Sequence, residues 1–322
     1  MHDLVFFIKA CVASKTLIAS VCGLFVIPLA AWIVIRLLAP YIRRMDNDPA
    51  WQAPIAAIAA TTPGAVFLLL AVIDLIGASS SGCLQFLWGR ILFATILALT
   101  ILAFTRATIV AANRVAQIRA LIKLSHEPAE DIRSVAQRVG VQVRVVPFAD
   151  PFCALARIIA PVVLVSRGTL ERLDPQELEA ALRHERAHAL RADLPLSAAL
   201  SFFADLLPLP TGDLIATYST AREFAADEHA TRGIAAHQLA SAIISLAGTR
   251  KLAHSVAALA EDAANIKPRV LALLEERAVS ASPIGRRVVA VAMLTAVAIL
   301  SLMPAVLSAV NDSACSTKGV LS

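Results

Sequence analysis

The sequence predicts a mainly helical integral membrane protein in which four transmembrane helices carry a water-facing α+β block, inserted between the third helix and the fourth. Three observations predict it. Hydrophobic residues make up 58% of the 322 and charged residues only 16%, and the mean hydropathy of +0.73 lies well above the soluble range. The apolar residues gather in four runs, near 17–39, 55–77, 87–105 and 288–310, each about long enough for the roughly 30 Å hydrocarbon core. The stretch 174–193 between the third and fourth runs is a charged helix whose Arg183, Arg186 and Arg191 belong in water. The expected division is a membrane region over 1–112, a cytoplasmic domain over 113–285, and a fourth span with a short outer tail over 286–322.

The first run, LIASVCGLFVIPLAAWIVIRLLA, is followed by Pro40, Tyr41, Arg43 and Arg44 rather than by a small-residue cleavage site, so it reads as a retained anchor. His2 to Lys15 contains VFFI and reads as an interfacial stretch. The second run holds Pro63, Gly64 and Asp74. A carboxylate near a span end reaches the headgroups, and an ion relay is the alternative reading. Arg90 at the outer end of the third run can snorkel. Arg43 and Arg44, then Arg106, Arg114, Arg119 and Lys123, then Arg286 and Arg287 fall on one side of a regularly alternating chain. By the positive-inside bias both termini lie outside and 106–287 lies in the cytoplasm of a multi-pass inner-membrane protein.

The net charge of +5 is small for this length, and the basic residues sit beside apolar runs. That placement fits loop bias in a lipid bilayer and excludes nucleic acid as a partner. Five cysteines without CxxC or CxxxC spacing exclude a zinc knuckle and a redox motif. Cys83 and Cys315 fall on the same outer side, which permits a disulfide there; two free thiols fit equally.

Within the block, Glu130–Val139 reads as an amphipathic helix stopped by Gly140. VQVRVV at 141–146 and VVLVS at 162–166 read as strands. A free edge of such a sheet suits an extended peptide added as a further strand. Next comes DPQELEAALRHERAHALRAD at 174–193. Asp174 suits the N-cap, Pro175 the first helical position, and Glu177 completes a capping box. Inside it lies HExxH: His184 and His188, four apart, converge on one cation while Glu185, one step round, reaches its water.

Catalytic zinc usually takes three protein ligands. The metzincin third ligand is excluded, because Arg191 and Leu194 stand where Gly and His or Asp would be. Residues 221–230, AREFAADEHA, put Glu223 and Asp227 four apart on one face. Taken alone the pair is an exposed acidic face; downstream of an HExxH helix Glu223 becomes the expected third ligand. Asp227 then accepts the free N–H of a ligating His and fixes its tautomer. Leu194 to Pro210 is apolar, but a full crossing would part Glu223 from His184 and His188, so it packs in the core or dips into the membrane face. Further helices are expected at Ala236–Leu246, Leu252–Ala263 and Pro268–Arg277, with His229, His237 and His254 as packing or surface residues. Tyr218 and the nearby histidines are the candidates for stabilising an oxyanion.

These motifs resemble the BlaR/MecR-like membrane peptidases of the gluzincin type. The match lies in PVVLVSRGTLERL, ELEAALRHERAHALRADL, AREFAADEHA and IKPRVLALL, roughly residues 140 to 280, and in the layout of three spans before the protease block and one after. The resemblance implies one zinc ion per chain held by His184, His188 and Glu223, with Glu185 as the catalytic base and Asp227 and Asp193 supporting the ligands. Span order separates this layout from HtpX and CAAX proteases, and site-2 proteases carry HExxH inside a span. Two departures stand out: Arg186 replaces the usual apolar residue, and about a dozen residues follow the last span where antibiotic-sensing members carry a penicillin-binding domain. The expected function is therefore a membrane zinc endopeptidase acting on a cytoplasmic or membrane-associated protein. A transducer that destroys a transcriptional repressor and a catalytically idle scaffold are the other readings; oligomeric state is not encoded.

Overall fold

In the computed structural model, which describes residues 27–44, 49–80, 87–157, 159–207, 209–247 and 266–275, the apolar runs become helices longer than the runs themselves. Helix α1 spans Ile27–Arg43 and α2 spans Pro49–Ser80, opened by a proline whose missing N–H costs nothing in a first turn. Pro63 inside α2 leaves the Ala59 carbonyl without its helical donor. Around that gap the Thr61 and Thr62 hydroxyls donate to the carbonyls of Ala57 and Ile58 at 2.9 and 2.6 Å. Helix α3 spans Leu87–Leu124, 38 residues or about 57 Å at the usual rise. The expected span at 87–105 is thus the first half of one helix that runs on through Arg106, Arg114, Arg119 and Lys123. Hydropathy falls after Thr105 because basic residues enter the sequence there; the backbone has no reason to stop.

Two of these helices, over Pro49–Val72 and Phe93–Leu124, are long and apolar enough to cross a membrane. Helix α1 holds the second half of the first run. The start of that run and the interfacial stretch before it, the fourth run at 288–310, the helix at Leu252–Ala263, His254, Cys83 and Cys315 lie outside the described residues. Much of α2 is buried, through Ala53, Ala56, Ala57 and Ala60, whereas α3 exposes Leu99, Ile101, Leu102 and Phe104.

Helix α4, Glu130–Val139, ends as expected at Gly140, whose φ of 78° suits glycine and whose N–H caps Ala136 and Gln137. Strands β1 (Gln142–Val146) and β3 (Val162–Ser166) pair in parallel, Gln142 opposite Val162. A strand missing from the expectation, β2 (Cys153–Ala156), lies antiparallel on the other side of β3, giving the order β1-β3-β2. Four residues, CALA, are too short and too uniform to show alternation. One face of the sheet packs Val163 and Val165 on Leu178, Ala181 and Leu182; the other packs Val162 and Leu164 on Leu121 of α3. The far end of α3 therefore backs the sheet whose front carries the HExxH helix.

That helix, α6 (Pro175–Leu190), follows the short α5 (Arg167–Arg172). Its capping box forms as read: Asp174 accepts from the backbone of Gln176 and Glu177, and Glu177 accepts from the Asp174 N–H, a cap worth about 1 kcal/mol. The apolar stretch after it is α7, Asp193–Leu206. Its Phe202, Phe203 and Leu206 wedge against Phe67, Leu70, Ala71 and Ala107 of α2 and α3. Gly64 makes this possible, since a Cβ there would stand 2.7 Å from the Phe203 carbonyl oxygen. Helix α8, Gly212–Ala230, lays Leu214, Tyr218 and Ala221 on Ile55, Ala56, Ala57 and Ala60. The turn between α7 and α8 is fastened by Trp32 Nε1, which donates to the Pro210 carbonyl, and by the Arg114–Asp205 ion pair, both at 3.3 Å. Helices α9 (Ala236–Leu246) and α10 (Ile266–Leu274, where Pro268–Arg277 was expected) close the far side.

Candidate metal centre

Local sequence sets the two imidazoles on one face of α6, and the packing of α8 across it supplies the third group. His184 Nε2 lies 3.1 Å from His188 Nε2 and 3.2 Å from Glu223 Oε2, and His188 Nε2 lies 3.6 Å from Glu223 Oε1. One donor atom from each of the three falls within 4.8 Å of the others. Tetrahedral zinc with ligand bonds of 2.0–2.1 Å needs donor atoms about 3.3 Å apart. All three residues are buried, at 8%, 8% and 6% exposure, so water does not compete for their lone pairs.

Each of the other ring nitrogens has a carboxylate beside it. His188 Nδ1 hydrogen-bonds Asp193 Oδ2 at 2.8 Å, whereas His184 Nδ1 lies 2.9 Å from Asp227 Oδ1 at an angle outside hydrogen-bond geometry. A carboxylate at each Nδ1 favours the proton there and leaves each Nε2 lone pair facing the shared point. Asp193 reaches back because Ala192 adopts φ 55°, a left-handed turn that costs an alanine about 1 kcal/mol. That strained residue swings the start of α7 under His188.

Two arginines complete the cluster, and the sequence reading assigned neither a role. Arg222 donates from Nη2 and Nε to Glu223 Oε1 at 2.6 and 3.1 Å, and from Nη1 to Ser197 Oγ at 3.2 Å. Arg269 on α10 grips Asp227 with Nε at 2.6 Å and Nη2 at 2.7 Å, and lies 3.2 Å from Glu223 Oε2 through Nη1. Its only sequence signal is its place in IKPRVLALL. Four buried carboxylates, Glu185, Asp193, Glu223 and Asp227, thus gather near two buried guanidiniums, Arg222 and Arg269, and the partly buried Arg191 lies 3.5 Å from Asp193. With neutral imidazoles the carboxylates outnumber the guanidiniums by one, an excess that a cation or protons can answer.

Without a cation, protons answer the same field. Burial opposes charge on His184, but Asp227 and Glu223 outweigh it and push the pKa up to about 9. His188 is raised in the same way, against burial, by Glu223 and Asp193. Burial works against ionised Glu223 too, yet Arg222 and His188 hold its carboxyl well below the usual range.

Glu185 stands apart from the ligands. Its Oε2 accepts from the Leu155 N–H at 2.7 Å. Ser166 N–H donates to the Phe152 carbonyl at 3.0 Å, so by alternation Phe152, Ala154 and Ala156 face β3 while Cys153 and Leu155 turn their backbone groups outward. The edge of β2 that carries no strand partner among the described residues therefore runs past Glu185. Burial pushes the Cys153 thiol pKa up, and the Glu185 carboxylate adds to it, which keeps that thiol neutral beside the base.

Tyr218 is corrected. It is fully buried, its hydroxyl 2.7 Å from Ser197 Oγ and donating to the Asp193 carbonyl at 3.3 Å, so it braces α7 against α8 and has no access to a substrate oxygen. His229 lies on the opposite side of α6 beside Arg183 and Arg186, and His237 is exposed. Arg186 is exposed as read.

No family model matches the chain. Over 81 residues it is 36% identical to a protein named protease HtpX homolog from Moorella thermoacetica, a stretch that covers 24% of this chain and 27% of that protein. The chain thus matches about a quarter of the length of that curated relative. Span order was expected to set the two groups apart, and an 81-residue match does not bear on it. It supports a membrane zinc protease in the broad sense and does not single out the BlaR/MecR-like subtype.

Proposed function

We propose that this protein is a membrane-bound zinc-dependent endopeptidase of the gluzincin type that hydrolyses peptide bonds of a cytoplasmic or membrane-associated protein. The observation that carries this reading is the convergence of His184, His188 and Glu223 on one point, with Glu185 held beside it at a sheet edge. Zinc held by those three residues would supply Lewis-acid polarisation of the scissile carbonyl and acidify a water. The chain's own residues do the rest. A substrate segment adds to the outer edge of β2, its backbone taken by the outward groups of Cys153 and by the Leu155 carbonyl. Glu185, aimed by the Leu155 N–H, takes the proton from the attacking water and returns it to the leaving amine. Asp227 and Asp193 keep the Nδ1 protons of His184 and His188 in place throughout. No covalent intermediate on the protein is required.

The BlaR/MecR-like assignment, with the catalytic block in the cytoplasm and a transcriptional repressor as substrate, is the narrower form of the same proposal. What favours a transducer is that α7 begins at Asp193, on the ligand His188, and ends wedged between α2 and α3. An idle scaffold is disfavoured by six intact site residues, three of which bring one donor atom each to a single point.

The test compares new protein N-termini in cells carrying wild type and Glu185→Gln, with zinc content measured on both purified proteins. Glu185→Gln is expected to keep about one zinc per chain and to lose roughly 10²–10⁴-fold in cleavage rate. A dominant Glu185-dependent cut in a DNA-binding repressor would establish the transducer; many cuts in membrane proteins would establish a general protease. Identical N-termini in the two strains, or protein that takes up no zinc, would overturn the proposal.

A further inference from the structure

Behind the active helix, on the face turned away from His184 and His188, lies a cavity of about 240 Å³ lined by Arg183, Arg186, His229, Ala230, Arg232 and Gly233. That is room for about eight waters at their share of liquid volume. Two carboxylates meet its three guanidiniums. Arg183 donates from Nε and Nη2 to Glu179 Oε1 at 3.1 and 2.9 Å, and Arg232 Nη2 reaches Glu228 Oε1 at 3.3 Å. Arg186 makes no ion pair among the described residues. Gly233 lets the Arg183 guanidinium lie close against the backbone, since a Cβ there would stand 2.5 Å from Nη1 and displace the end of that side chain. The field inside is positive, since burial first and then Arg232, Arg186 and Arg191 hold the His229 pKa below its ordinary value.

We propose that this cavity binds a small oxyanion of the phosphate class, held by Arg183, Arg186 and Arg232. Three guanidiniums lining one cavity suit a tetrahedral anion with several acceptor oxygens, and charge-assisted bonds of this kind are the strong ones. The cavity sits at the Ala230 end of α8, about 27 Å by helical rise from the Gly212 end that docks near Trp32 and the apolar helices. That distance favours an anion from solution over a lipid headgroup. The ligand would join α6 to the C-terminal end of α8, the two helices that carry His184, His188 and Glu223. Binding does not depend on zinc or on peptidase activity.

The test uses the full chain in detergent with inorganic phosphate as the probe, titrated against chloride at constant ionic strength. Equilibrium dialysis is expected to give one saturable phosphate per chain, and the melting temperature to rise by about 3 °C or more at saturation. Arg186→Gln combined with Arg232→Gln, at positions exposed enough to spare the fold, is expected to weaken binding about tenfold or more per arginine. Arg186→Lys, which keeps the charge without the fork, should fall between. Absence of saturable phosphate in the wild type, or unchanged binding in the double variant with native circular dichroism, overturns the proposal. Displacement of phosphate by phosphatidylglycerol vesicles but not by phosphatidylcholine would make a lipid phosphate the ligand of the site. Displacement by neither would leave the soluble anion.

Discussion

Arg269 is the residue whose loss separates the reading of this cluster as a metal centre from a reading of it as a buried ion network. It is 2% exposed and touches Asp227 and Glu223 at once. Its replacement by leucine strands Asp227 in the interior and leaves Glu223 with Arg222 alone, a change that typically costs about 3–5 kcal/mol. If a cation belongs between His184, His188 and Glu223, part of that loss is returned by metal, because the cation neutralises what the guanidinium did. Arg269→Leu is therefore expected to lower the melting temperature more in chelator than in zinc, and an equal drop in both would mean that the metal does not sense the arginine. How far this was legible follows from the geometry of helices. His184 with His188, and Glu223 with Asp227, are four apart, so helical spacing alone puts each pair on one face. Arg269 stands 42 residues beyond Asp227, and nothing local states which carboxylate it will meet. Tyr218 was misjudged for the same reason: its neighbours Ser197 and Asp193 come from α7, whose course is a tertiary fact.

Among the elements, β2 decides how Glu185 and a substrate share one edge. The strand was missed because four small and apolar residues carry no alternation, while β1 and β3 were legible from their valines. Its outward N–H at Leu155 takes no part in the ladder, being donated to Glu185, and proline is tolerated on a strand edge where the N–H points away from the sheet. Leu155→Pro is thus expected to fold with a modest loss of stability from the leucine side chain packed beside the core, retain zinc, and lose about tenfold or more in kcat/KM. The loss reports a misaimed base. If activity survives with Leu155 replaced by proline, the Leu155 N–H does not aim Glu185. Helix α3 teaches the converse lesson about elements. Its apolar half was read and its polar half was not, because hydropathy reports the solvent around a helix, and Ala, Arg and Gln after Thr105 are as helix-prone as the leucines before it.

At the scale of the whole molecule, the helices that carry His184, His188 and Glu223 are also the ones that join the apolar helices to the sheet. Helix α6 rests on the sheet, the sheet rests on the end of α3, α8 lies along α2, and α7 runs from His188 into the gap between α2 and α3. A cation at His184, His188 and Glu223 ties α6 directly to α8, and through Asp193 it fixes the start of α7. Its binding energy is therefore shared by the aqueous block and the apolar helices. Free zinc at about 1,000 times its dissociation constant adds about 4 kcal/mol to stability by mass action. Chelation is then expected to lower the melting transition by several degrees, and added zinc to restore it. Glu185→Gln should show the same shift, since that residue is not a ligand, and His188→Ala should show little of it. Hydrogen exchange should place the change in α6, α7 and α8 together, with α7 protected along Phe202 and Phe203 as far as its contact with α2. A metal response confined to α6 and α8, with α7 unmoved, would uncouple the apolar helices from the site and remove the structural ground for a transducer.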